Sequence, residues 1–170
     1  MKISVDSLAN LADILEGKDF ESEMARSRQD VRHRFTLSAI GQAPASIRIS
    51  GLVSLESGRP FNIFVGRDAN GDGNPNSDRP GLIGRNEYEG PGYATVDLRV
   101  SRDFTLGNGK RLELLLDMFN LFNRTNVKDI NTVWGSLDYP NTPPPASLGF
   151  GTPRDVFNPY QTQFAARLKF

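Results

Sequence analysis

A segment rich in aspartate and asparagine is the first candidate for chemistry in this sequence. Residues 68–78 have the sequence DANGDGNPNSD, which places side-chain oxygens at alternate positions and Gly73 at the sixth. Calcium prefers carboxylate and amide oxygens, and this spacing resembles that of a calcium-binding loop. The pattern therefore makes Asp68, Asn70 and Asp72 candidate Ca²⁺ ligands.

The same segment departs from a calcium loop at its twelfth position. Arg79 stands where a bidentate glutamate belongs, and the sequence predicts no helix on either side. The alternative is a metal-free turn, because Asn, Asp and Gly tolerate left-handed backbone and bond their own main chain. That alternative is favoured, and we expect no cofactor other than this Ca²⁺.

No arrangement of residues in the sequence predicts catalysis. Cysteine is absent and His33 is the single histidine, which excludes thiolate zinc sites, cysteine nucleophiles and multi-histidine metal sites. No G-x-S-x-G, P-loop or G-x-G-x-x-G motif is present. We therefore expect no enzyme activity. The 20 basic and 20 acidic residues balance, so net charge gives no argument for nucleic-acid binding.

Strands must position the remaining charged residues. Apolar and polar residues alternate with a period of two, which predicts strands at residues 31–38, 46–57, 93–104, 111 to about 122, and 162–170. Alternation also places His33 on the apolar side of the first strand, as a wall or interfacial residue. The polar positions of the third and fourth strands are charged: Asp97, Arg99, Asp103, Arg111, Glu113 and Asp117. Cross-strand pairing explains them better than contact with a plug or a solute.

The connections between these strands alternate in length. Residues 41–44 and 107–109 are short turns, whereas residues 60–92 and 123–160 are long and rich in Gly, Pro and Asn. Short turns at one end and long loops at the other are typical of transmembrane β-barrels, and no apolar run reaches the roughly 18 residues of a transmembrane helix. The expected fold is all-β: an antiparallel transmembrane β-barrel segment of about five to six strands, an incomplete barrel with long loops. Residues 1–29 are expected to be loop or a short helix at 7–16, without a signal peptide.

A soluble sheet is the alternative, because strand alternation alone does not distinguish it from a membrane barrel. It would be a β-rich binding or adhesion module with a calcium-stabilised loop. About five strands with two long loops leave little to close a second sheet over the apolar face. The barrel interpretation is therefore preferred.

Four strings in the sequence resemble TonB-dependent transporters, and more narrowly the Oar-like group. They are DVRHRF at 30–35, SGRPFN at 57–62, FNLFNRTN at 119–126 and QFAARLKF at 163–170. Their order and spacing match the last barrel strands of such proteins, so the resemblance assigns residues 30–170 to C-terminal barrel strands. It implies an outer-membrane location, contact with outer-membrane lipid, and import of a solute.

The resemblance also implies partners and a targeting signal. Phe164, Leu168 and Phe170 resemble the signal that the barrel-assembly machinery recognises. A whole transporter would also carry a signal peptide, a TonB box and a plug, and the TonB system would act through those regions. None of them fits within 170 residues, so the chain is expected to be a fragment that is not competent for transport alone.

Overall fold

The computed structural model describes residues 24–71, 73–76, 78–81 and 83–170. The predicted helix at 7–16 and the candidate ligand Asp72 lie outside these residues. The described elements are β1 (Arg34–Ala43), β2 (Ile47–Glu56), β3 (Pro60–Phe61), β4 (Tyr88–Glu89), β5 (Tyr93–Gly107), β6 (Lys110–Phe119), β7 (Val127–Ile130), a 3₁₀ helix (Ala146–Leu148), β8 (Pro153–Val156) and β9 (Gln161–Lys169). Among the described residues, no helix is long and apolar enough to span a membrane.

Five of the strands form one antiparallel sheet in the order β1-β2-β5-β6-β9. Each strand pairs with the next long strand along the chain, so the sheet is an up-and-down meander. Within the described residues the sheet is open, because β1 and β9 lie at its two edges. The predicted all-β, antiparallel and incomplete barrel is thereby confirmed.

The first strand and its turn differ from the prediction. The strand begins at Arg34, so His33 precedes it instead of lying in the wall, and it continues to Ala43. Gly41 does not break the strand, because it remains paired with Ile49. The turn comes instead at residues 44–46, where proline ends the strand because it has no N–H for the ladder.

The two long connections are not structureless. Together with the described residues up to Asp30, residues 59–90 and 129–154 form one compact unit, here called the loop unit. β3 pairs with β4, and Phe64 forms a parallel bridge with Val133. Its core contains Phe61, Ile63 and Trp134, with the half-buried side chains of Ile83, Ile130, Tyr139 and Phe150 packed against them.

The remaining residues, 31–58, 91–128 and 155–170, form a second compact unit, here called the sheet unit. It contains the whole five-stranded sheet. β2 ends and β5 begins at one end of this sheet, and β6 ends and β9 begins at the same end. Both long connections therefore leave from one end of the strands, and both tight turns lie at the other, here called the hairpin end.

Candidate functional site

The strand register places nearly all apolar positions on one face of the sheet. Leu37 lies opposite Val53, Val53 opposite Val96, Leu98 opposite Met118 and Leu116 opposite Phe164. This face, here called the apolar face, is open: Phe35 is 53% exposed, Leu55 43% and Phe164 69%. Large apolar side chains thus point away from the protein along the full width of the sheet.

The opposite face, here called the charged face, is the more buried of the two along β6 and at Ser101 of β5, whereas β1 and β9 are exposed on almost every residue of both faces. Ser101, Glu113, Leu115 and Asp117 are all buried on it. Along β6 the buried positions alternate with half-exposed leucines. A soluble sheet buries its apolar side and exposes its polar side, so this pattern is inverted. The inversion fits a barrel wall whose polar side lines the lumen and whose apolar side contacts lipid.

An arginine–aspartate pair joins β5 to β6 on the charged face. Arg99 and Asp117 are directly opposite each other in the ladder. The Arg99 guanidinium donates from both Nε and Nη2 to the two oxygens of Asp117, with 2.9 Å between Nη2 and Oδ2. This two-pronged geometry is the strong form of a charged hydrogen bond. The predicted cross-strand pairing is confirmed here.

Glu113 is the centre of a second group of charges. Its carboxylate lies 3.1 Å from the Lys169 ammonium, 3.3 Å from Nη1 of Arg167 and 3.9 Å from Nη1 of Arg48. Arg48 also lies 3.8 Å from Asp103, which is directly opposite Glu113 in the ladder. Two facing carboxylates repel each other, and Arg48 offsets that repulsion.

The Glu113 group links strands that are not neighbours. Arg48 belongs to β2 and Glu113 to β6, so the arginine side chain must cross β5. Ser101 lies opposite Arg48 on β5, and its small buried side chain leaves room for that crossing. The group therefore connects β2, β5, β6 and β9 across the charged face. Every acid in the group faces a base, so the group is a network of paired charges on the wall.

An asparagine at the end of the FNLFNRTN string replaces a strand partner. The Asn126 side chain is 1% exposed, accepts a hydrogen bond from the Ala94 N–H at 2.9 Å and donates one to the Ala94 carbonyl at 2.8 Å. An amide side chain can make both bonds because it carries a donor and an acceptor. Asn126 thus completes the pairing of β5 beyond the end of β6.

Two further asparagines of the same string make the turn after β6. Asn120 and Asn123 have φ values of 49°, a left-handed conformation that asparagine tolerates. The Asn120 side chain accepts from the Arg124 N–H at 3.0 Å, and that of Asn123 accepts from the Tyr160 N–H at 3.0 Å. Strand alternation gives no signal for this structural role, so the sequence shows the string only as a resemblance.

The segment at 68–78 uses its carboxylates to hold its own backbone. The two Asp68 oxygens accept from the N–H groups of Gly71 at 2.7 Å and Gly73 at 2.9 Å. Asp78 accepts from the Ala69 N–H at 2.7 Å. These bonds are those of the metal-free turn that the composition favours.

The Ca²⁺ interpretation of this segment stays a prediction. Among the described residues, no group of three or more His, Asp or Glu side chains is arranged to hold a metal ion. Asp72, the third candidate ligand, is outside that part of the chain. Asp68 and Asn70 both make contacts with other groups.

The three residues of the predicted assembly signal lie in or just after β9. Phe164 pairs with Leu116 and Leu168 with Leu112, so both are on the apolar face. Phe170 follows the strand and is 89% exposed. The structure thus places Phe164 and Leu168 together on one side of β9. Their proposed recognition by the assembly machinery remains a prediction.

Three aromatic residues of the second long loop, Trp134, Tyr139 and Phe150, lie within the loop unit. Trp134 contacts Tyr139 with ring centroids 4.8 Å apart, and Phe150 at 5.0 Å. The indole N–H of Trp134 donates to the Thr142 carbonyl at 2.8 Å. Nearby, hydrogen bonds from Asn141 and Thr142 hold the pKa of Asp138 below its usual value. These residues are therefore structural.

The open antiparallel meander, with its exposed apolar face and the inverted burial of β6, is typical of the wall of a β-barrel membrane protein. Comparison with known families agrees: residues 74–163 match the family model of the outer membrane beta barrel domain. The match covers more than half of the 170 residues, so the chain belongs to this family. Comparisons with curated proteins and with solved structures returned no match. The protein is accordingly an outer-membrane protein, which favours the barrel over the soluble module.

Proposed function

We propose that this chain forms barrel strands of an Oar-like TonB-dependent transporter, which imports a solute across the outer membrane. The observation that carries the proposal is the FNLFNRTN string, in which the side chains of Asn120, Asn123 and Asn126 each make hydrogen bonds to the backbone. Because these side chains have defined structural roles, the string supports the resemblance better than overall composition does. The resemblance alone supplies energy coupling through TonB.

Two structural features support import by a large barrel. The charged face would line a polar lumen, and its paired charges would keep that wall rigid while a plug or a solute contacts it. The loop unit has its own aromatic core, which favours a preformed recognition surface over mobile loops. The TonB system would act through an N-terminal plug and TonB box, as in the transporters that the chain resembles.

Solute uptake by three strains of the host tests this proposal: the wild type, a deletion of the gene that encodes this chain, and a deletion of TonB. After growth, mass spectrometry measures which solutes remain in the medium of each strain. We expect at least one solute to remain in the medium of both deletion strains. A gene deletion that leaves every TonB-dependent solute consumed at the wild-type rate would contradict the proposal.

The assembly machinery is the second proposed partner, acting on Phe164, Leu168 and Phe170. Replacing Phe164 and Phe170 together by alanine should lower the fraction of the full-length protein that reaches carbonate-washed outer membranes. Phe122→Ala is the control, because Phe122 is also aromatic and is 76% exposed but lies outside β9. Equal membrane recovery of the two variants would remove this role.

Calcium at Asp68, Asn70 and Asp72 is retained as a subsidiary proposal. The fluorescence of Trp134, the single tryptophan, reports on the loop unit that contains this segment. Added Ca²⁺ should raise the temperature at which this signal changes in the wild type and not in Asp68→Asn. No shift in the wild type would exclude the site.

A further inference from the structure

Two cationic side chains lie on the otherwise uncharged apolar face. Arg102 of β5 lies opposite Leu114, and Lys110 of β6 precedes Arg111, which belongs to the charged face with Glu113. Alternation therefore places Lys110 on the apolar face. Both side chains are exposed. Within the five strands of the described sheet, no other charged residue occupies an apolar-face position.

Each of these cations lies over an aromatic ring. The Arg102 Cζ is 4.8 Å from the centroid of the Phe104 ring, and the Lys110 Nζ is 5.7 Å from that of Phe170. A ring attracts a cation through its quadrupole but does not neutralise its charge. In the described part of the chain, neither cation has a carboxylate partner. The N–H donors of both remain available.

Both cations belong to the hairpin end of the strands. Arg102 is level with Ile47, the first residue of β2, and Lys110 is the first residue of β6. Phe104 lies two residues closer to the turn than Arg102, so the guanidinium is directed towards that turn. Long cationic side chains reach for the interface in this way, because a charge within hydrocarbon is costly.

The surroundings favour a lipid headgroup as the occupant. Phe104, Leu112 and Leu168 form one apolar row between the two cations. That row suits acyl chains, whereas the guanidinium and the ammonium suit phosphate oxygens. A second copy of the chain docked on the same patch would bring like charges together. Tight turns of outer-membrane barrels face the periplasm, so the leaflet in contact is the inner one.

We propose that Arg102 and Lys110 bind the phosphates of anionic phospholipids at the hairpin end of the barrel wall. Phe104 and Phe170 hold the two cations at the level of the headgroups. The lipids held there form an ordered ring segment against β5, β6 and β9. This binding is independent of solute import and depends only on the membrane position of the sheet.

Spin-labelled lipids test this binding on the complete protein that carries the chain, reconstituted in phosphatidylcholine vesicles. The measured quantity is the preference of the motionally restricted lipid for phosphatidylglycerol over phosphatidylcholine. We expect the wild type to prefer phosphatidylglycerol. At low salt, each cation removed should lower this preference about fivefold, so the double variant Arg102→Gln, Lys110→Gln should lose both contributions. The charge-preserving pair Arg102→Lys, Lys110→Arg should keep most of it.

Arg111→Gln is the matched control, because Arg111 is adjacent to Lys110 but on the charged face. Its preference should equal that of the wild type. Lys110→Gln alone, at the exposed first residue of β6, should lose about fivefold of the preference even if the double variant fails to insert. An unchanged preference in Lys110→Gln, or an equal loss in Arg111→Gln, would overturn the proposal.

Discussion

Asn126 shows how a single side chain can stand in for a strand. It supplies one donor and one acceptor to the backbone of Ala94, while only 1% of its surface is exposed. Asn126→Ala leaves both backbone groups without these partners, and each buried unpaired group costs roughly 1–3 kcal/mol. We expect the variant to lose about 2–4 kcal/mol of unfolding free energy in urea titrations of the full-length protein.

Asn158→Ala is the control for that measurement. Asn158 contributes its backbone carbonyl to the same turn, as an acceptor for the Asn120 side chain, and alanine retains that carbonyl. The control should remain close to wild-type stability. If the two variants lose equal stability, the Asn126 side chain is not the strand substitute described above.

Glu113 is the second residue whose replacement should destabilise more than its own strand. Glu113→Gln removes the charge that faces Arg48, Arg167 and Lys169, and leaves those cations to repel one another. The temperature at which the folded band disappears in a heat-modifiability gel should therefore fall. Asp155→Asn breaks an exposed pair with Lys128 and should change that temperature little. A Glu113→Gln protein as heat-resistant as the wild type would show that the group contributes nothing.

Close backbone packing within the loop unit can be tested at the level of the element. Gly66 has a φ of 81°, and a Cβ placed there would lie 2.4 Å from Cγ1 of Val133, a stiff β-branched side chain. Gly71 has a φ of 79° with open space around it. Both alanine variants carry left-handed strain of about 1 kcal/mol, and Gly66→Ala adds roughly 1–3 kcal/mol of overpacking.

The fluorescence of Trp134 is the readout for these glycine variants, since it is the single tryptophan and lies in the loop-unit core. The unfolding transition it reports should move to lower urea concentration in Gly66→Ala than in Gly71→Ala. Coincident transitions would mean that the contact between Gly66 and Val133 does not stabilise the unit.

Acid should loosen the same unit through Asp138. Its pKa is lowered because Asn141 Nδ2 and Thr142 Oγ1 donate to its carboxylate at 2.9 Å and 3.0 Å. The stabilisation is therefore complete above the unfolded pKa of about 3.9 and is lost as pH falls through the lower folded value. Since Thr142 also accepts from Trp134, fluorescence should report this loss in the wild type and less of it in Asp138→Asn. Identical acid titrations would contradict the role of Asp138.

The five long strands could be predicted from the sequence, because period-two alternation is a local property of each segment. The end of β1 could not, because Gly41 and Pro44 give the same turn signal and only pairing with Ile49 keeps Gly41 in the strand. The short strands of the loop unit were missed for a related reason. Their pairing joins segments far apart in sequence, such as Phe61 of β3 and Tyr88 of β4.

The charged face could be predicted as far as its members, and the pairing of Arg99 with Asp117 follows from two strands joined by one hairpin. The place of Arg48 in the Glu113 group could not be predicted. It depends on the register between β2 and β5 and on the small Ser101 beneath the crossing side chain. Contacts between strands that are not neighbours produce no periodic pattern in the sequence.

For the whole molecule, the central feature is the inversion of burial along the inner strand β6. On this strand Glu113 and Asp117 are buried, whereas Leu112, Leu114 and Leu116 on the apolar face are only half-buried. Alternation predicts that a strand has two faces but does not state which face meets water, so composition alone could not decide between lipid and solvent. The open apolar face and the membership of the outer membrane beta barrel family show that this face contacts lipid and not water.

The most direct test of this account is a spin-label scan of β9 in outer membranes. The sequence contains no cysteine, so single cysteines at residues 162–168 can be labelled without background. Collisions with oxygen, which concentrates in lipid, should be high at positions 164, 166 and 168. Collisions with a water-soluble nickel reagent should be high at 163, 165 and 167. Access of the nickel reagent to the even positions, without this alternation, would contradict a lipid-facing apolar face.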